Sequence, residues 1–137
     1  MWAELFYLRQ DAEVKGRDIV EPLLGFWPKL GICLSTGRDD GALEKAAGRC
    51  AWALAERFGG LIDFQGSIVP PLRPERRRWS ESRQHRLAEV NAFVQEFPGT
   101  VKEWFYRQEN GRRWVHHFAD AEFMLAWLRH PSFHLVK

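Results

Sequence analysis

A chain of 137 residues with 45% hydrophobic and 28% charged residues can bury a core of its own, which points to one folded domain and excludes wholesale disorder. Twenty Lys and Arg against eighteen Asp and Glu leave a formal charge of only +2, short of the basic excess that a dedicated nucleic-acid binder carries. Residues 1–8 lack the basic and apolar blocks of a signal peptide, and no run reaches transmembrane length, so a cytoplasmic protein without a membrane partner is expected.

Taken in order, the chain first shows an apolar run at 3–9, with Leu5, Phe6, Tyr7 and Leu8, that reads as a strand. Val20, Leu23, Leu24 and Trp27 then recur at helical spacing over 19–27, provided that Pro22 sits in a first turn. Residues 31–35 read as a second strand running into the turn 36–40, where Asp39 or Asp40 can cap the helix that follows. That helix, near 40–58, carries Leu43, Ala47, Cys50, Leu54 and Phe58 on one face. Ala46, Ala47, Ala51, Ala53 and Ala55 give it small surfaces that a sheet or a second helix can approach closely. Gly59 and Gly60 stop it, since glycine takes the left-handed conformation of a helix C-cap at little cost. Leu61, Ile62 and Phe64 follow as a short buried strand.

Three prolines at 70, 71 and 74 make the next stretch a loop, which leads into Arg76, Arg77, Arg78 and Trp79. Helical spacing resumes near 81–96 through Leu87, Val90, Phe93 and Val94, and Pro98-Gly99 ends it. Residues 101–118 read as an antiparallel hairpin turning at Asn110-Gly111. Asp120 caps a last helix near 120–129 with Met124, Leu125 and Leu128 on one stripe and Phe123 and Trp127 beside it. After Pro131, residues 133–136 read as a terminal strand. The expected architecture is α+β, a single domain over 1–137 with an antiparallel or mixed sheet packed against about three helices.

The motifs point to binding rather than catalysis. No Cys-x-x-Cys, His-Glu-x-x-His, P-loop or nucleophile-elbow pattern occurs, so neither an enzyme nor a cofactor is expected. Cys33 and Cys50 lie in apolar surroundings and read as buried free thiols. His116 and His117 are adjacent on a strand and face opposite ways, and Pro131 separates His130 from His134, so no metal site is expected either. Asp63, after two glycines at a strand end, is either an active-site acid or a carboxylate that caps a turn or pairs with an arginine. Seven Trp among 137 residues either fill a small core or include partner anchors. Arg76, Arg77, Arg78 and Trp79 are candidate partner contacts, because Arg offers bidentate hydrogen bonds and Trp an apolar anchor. The acidic turn Asp39 and Asp40 is the second candidate. The alternative for the arginine run is a solvated loop.

The segments Arg-Phe-Gly-Gly-Leu-Ile-Asp-Phe at 57–64, Pro-Gly-Thr-Val-Lys-Glu-Trp at 98–104 and Trp-Leu-Arg-His-Pro-Ser-Phe at 127–133 carry a resemblance. Over roughly 30–137 the chain resembles a small uncharacterised bacterial family similar to immunity proteins of interbacterial toxin systems. That resemblance implies a cytoplasmic protein whose partner is a cognate toxin, neutralised by occlusion, and it implies no catalytic residues. The alternative is a small enzyme or a nucleotide- or nucleic-acid-binding protein, one possibility being reversal of a toxin's modification.

Overall fold

The computed structural model describes residues 2–7, 17–35, 41–65, 67–68, 83–107 and 113–135. Its main sheet is antiparallel and three-stranded, in the order β3 (Ile62–Asp63), β5 (Arg113–Ala119), β4 (Val101–Arg107). The β4–β5 pairing runs in continuous register from Val101 opposite Ala119 to Arg107 opposite Arg113, the hairpin that the short connection dictates. The expected Asn-Gly turn lies outside the described residues. On the far side of β5, Ile62 pairs with Ala119 and Asp63 with Phe118. A second antiparallel pair joins β1 (Trp2–Tyr7) to β2 (Leu30–Ser35), with α1 (Arg17–Leu24) in the connection. The chain is thus an α+β domain whose described residues form two antiparallel sheets and four helices.

The core is built where α3 (Arg83–Val94) and α4 (Ala121–Arg129) meet one face of the main sheet. Phe123, Met124 and Trp127 of α4 and Ala119 of β5 are fully buried, and Phe93, Val94, Phe64 and Ile68 close around them. The aromatic rings meet edge to face: Phe64 on Phe123 at 5.8 Å, Phe93 on Trp127 at 5.6 Å and Phe97 on Trp127 at 5.7 Å. In that geometry the positive ring edge meets the negative face. At least one of the seven Trp is therefore core.

Helix α2 (Gly41–Phe58) lies where the sequence predicts it and is closed by Gly59 at φ +64, with Gly60 N–H donating to the Ala55 carbonyl at 3.1 Å. Its buried face differs from the expected one. Glu44, Ala47, Gly48 and Ala55 are buried, Ala51 and Trp52 pack on the core, and Phe58 is 74% exposed. Leu43, Cys50 and Leu54 are only partly covered. The reason is close approach by α4. A side chain at Gly48 would meet Leu128 and Phe133 at 2.8 Å and Met124 at 2.9 Å, so Gly48 lets α4 close in and the stripe of Leu43 and Leu54 is left partly covered.

Three further expectations are corrected. Pro22 is the sixth residue of α1 and not in its first turn; the helix ends two residues later, where Gly25 N–H donates to the Glu21 carbonyl, and Trp27 falls beyond it. Cys33 is exposed and Cys50 only partly covered. Residues 133–135 form no strand, because side chains take up the local backbone groups: Leu135 N–H donates to the buried Glu44 carboxylate at 2.8 Å, and Trp127 Nε1–H donates to the His134 carbonyl at 3.3 Å. No described helix is long and apolar enough to cross a membrane.

Candidate functional site

The residues named as partner contacts, Asp39, Asp40, Arg76, Arg77, Arg78 and Trp79, all lie outside the described residues. Of the five histidines, His116, His117, His130 and His134 have described side chains. His117 is buried on the core face of the sheet and His116 lies on the other face, as strand alternation requires. His130 stacks on Trp127 at 5.2 Å and its Nδ1 accepts from Ser132 N–H, while His134 Nδ1–H donates to the Ser132 carbonyl. Among the described residues no group of three or more His, Cys, Asp or Glu could hold a metal ion.

Asp63 and His116 are brought together by strand pairing. Asp63 sits opposite Phe118, so His116, two residues earlier on β5, is its diagonal neighbour on the same face. The His116 Nδ1–H donates to the carboxylate, at 3.0 Å from Oδ1 and 2.9 Å from Oδ2. Oδ1 also accepts from Gln65 N–H at 2.8 Å, in the turn that carries Gln65 at φ 48. Asp63 is therefore the turn-capping carboxylate of the sequence expectation, with a histidine as its partner. Because the carboxylate accepts at Nδ1, the neutral imidazole keeps its basic lone pair on Nε2. The rings of Trp104 at 5.4 Å and Phe118 at 6.1 Å surround it. Further along this face Lys102 Nζ donates to the Leu23 and Leu24 carbonyls, holding the end of α1 against β4.

On the opposite, core-facing side of β4, Glu103 stands across from His117. Burial pushes its carboxyl above the usual 4.5, partly offset by a hydrogen bond from Asn91 of α3.

A second feature lies between α2 and α4. Lys45, Arg49 and Trp52 follow one another at steps of four and three along α2, and Leu125, Leu128 and Arg129 face them from α4. Together they line a groove of about 330 Å³. Trp52 and Leu128 also pack against the core, which fixes the floor, while Lys45, Arg49 and Arg129 are exposed at its edges. The described lining thus holds three cations and no carboxylate. An apolar floor edged by exposed cations suits an anionic group with an apolar part.

A family model matches residues 3–137, nearly the whole chain. The chain belongs to the family of unknown function DUF6368. No curated protein and no solved structure matches it. In this DUF6368 chain the groove is the part of the surface that the sequence expectation passed over. Its signal was present in the Lys45, Arg49, Trp52 spacing, a second stripe of α2 beside the apolar one. Which face of α4 completes it depends on how the two helices cross, and no local pattern in a DUF6368 sequence carries that.

Proposed function

We propose that this protein is a cytoplasmic immunity protein that binds a cognate bacterial toxin and neutralises it by covering the toxin's active site. The single observation that carries the reading is the groove between α2 and α4, where Trp52 and two arginines stand together on two packed helices. Trp and Arg are the residues most enriched among the anchors of protein interfaces, and an anchor on a packed scaffold loses little entropy on binding. The 57–64, 98–104 and 127–133 segments resemble a small bacterial family similar to immunity proteins, and that resemblance supports the same reading. Occlusion needs about 800 Å² of this protein's surface, more than the groove alone, so Asp39, Asp40 and the Arg76 to Trp79 loop are proposed as further contacts.

The reading expects a secreted toxin to be encoded beside this gene, and the test begins with that protein. Wild-type protein should form a stable complex with the purified toxin and restore growth to cells producing it. Arg49→Glu combined with Arg129→Glu should weaken the complex by about 2 kcal/mol or more and abolish protection. Protection without any complex would sink occlusion.

One observation favours a second reading. The carboxylate-oriented His116 has the geometry of a general base, so the protein is alternatively a small enzyme that reverses the toxin's modification. Full protection by a His116→Gln variant, with the complex intact, would remove that alternative.

A further inference from the structure

The groove between α2 and α4 constrains the chemistry of what enters it. We infer that it receives an acidic amphipathic helical segment of the protein partner; the inference rests on the partner-binding reading above and names the part of the partner that docks.

The lining separates into two kinds of surface. Trp52, Leu125 and Leu128 form a partly covered apolar floor, and Lys45, Arg49 and Arg129 are exposed around it. Lys45 and Trp52 lie seven residues apart on one helix, a rise of about 10 Å, so the groove accepts about two turns of an occupant helix. Its 330 Å³ equals on the order of ten waters, room for a few apolar side chains projecting from such a segment. A helix laid in a groove reads out as apolar anchors at steps of three and four, and carboxylates flanking those anchors would meet the three cations. Three cations with no acid among the described lining favour an acidic segment and disfavour a basic one. Nucleic acid fits less well. A backbone-tracking site needs a row of phosphate contacts, whereas these cations surround an apolar floor, and the whole chain carries only +2.

The probe is a labelled synthetic peptide about three to four turns long, with Leu at helical anchor steps and Glu at the flanking positions. A scrambled peptide of identical composition and a version with Lys for Glu serve as controls. Fluorescence anisotropy with the full-length protein should show binding of the acidic amphipathic peptide and about tenfold or more weaker binding of both controls. Amide NMR shifts on binding should concentrate at Trp52, Leu125 and Leu128. Arg49→Glu with Arg129→Glu changes only exposed side chains, and an unchanged circular dichroism spectrum would show that it folds; it should lower peptide affinity about tenfold or more and reverse the preference toward the Lys peptide.

Equal binding of the scrambled peptide, unaltered affinity in the double variant, or shifts mapping to another face would overturn the inference. So would displacement of the peptide by a single-stranded oligonucleotide, or a dimer in sedimentation that Leu125→Glu dissolves, since the groove would then belong to another occupant. The two proposals fail separately. Toxin bound equally by wild type and double variant leaves the immunity reading standing and sinks the groove's role, while peptide binding without any toxin binding does the reverse.

Discussion

Asp120 joins two elements with one carboxylate. Its Oδ1 accepts from Phe123 N–H at 2.9 Å as the N-cap of α4, and its Oδ2 accepts from Thr100 N–H at 2.7 Å at the start of β4. Asp120→Ala should therefore cost about 1–2 kcal/mol in a urea melt, and Asp120→Asn, which keeps an acceptor, should cost less. Gly99 lies against this cap at φ +92, where an added Cβ would meet the Asp120 carboxylate and the Phe123 backbone. The Pro-Gly pair marks the helix end in the sequence, but the need for glycine comes from a residue twenty-one positions away. Glu103 offers a pH test. Its pKa is raised above 4.5 in the folded protein, so the charged form is disfavoured there. Below that ordinary value both folded and unfolded states hold the proton and nothing is lost; as pH rises through the folded pKa, the fold bears the cost of a desolvated charge. Glu103→Gln should thus gain on the wild type as pH rises from 4.5 towards neutrality, measured as the difference in denaturation midpoints across that range. A constant difference would exclude Glu103 as a source of pH dependence.

At the scale of elements, the close contact between α2 and α4 is the joint most sensitive to size. Gly48→Val would force the ends of Leu128, Phe133 and Met124 apart and should cost about 1–3 kcal/mol, whereas Gly48→Ala regains about 1 kcal/mol of helix propensity and should be milder. The same joint explains why the apolar stripe of α2 misleads. Leu54 is only partly covered, so Leu54→Ala should cost about 1 kcal/mol or less, while Phe123→Ala, at a fully buried position, should cost about 3–5 kcal/mol. Thermal or urea unfolding of the pair decides it; equal losses would restore Leu54 to the core. Helix α4 is more legible in the sequence, because Asp120 caps it and Phe123, Met124, Trp127 and Leu128 all turn toward the core.

At the scale of the molecule, the two faces of the main sheet have different uses. One is closed by α3 and α4 over an aromatic core; the other carries Asp63, His116, Trp104 and Lys102, with the end of α1 tied to β4. The groove stands apart from both, on the outside of the α2–α4 pair. The Trp excess divides accordingly. Trp127 lies in the core, while Trp52 packs against the core and also lines the groove.

Local signals in the sequence suffice for α2 as far as Gly59, the β4–β5 pairing, the capped α4, and the α+β class that follows from them. Periodicity, capping and turn chemistry act over a few residues, so they are legible without the fold. Tertiary structure decided which side of α2 is buried, because Gly48 admits α4 where the larger Leu54 does not. It also turned the C-terminal run from an expected strand into a segment tied to Glu44 and Trp127 by side-chain hydrogen bonds. The pairing of Asp63 with His116, fifty-three residues apart, came from strand register, and the groove from the crossing of two helices. Both sites depend on contacts between residues far apart in the chain, and such contacts exist only once the core has brought the elements together.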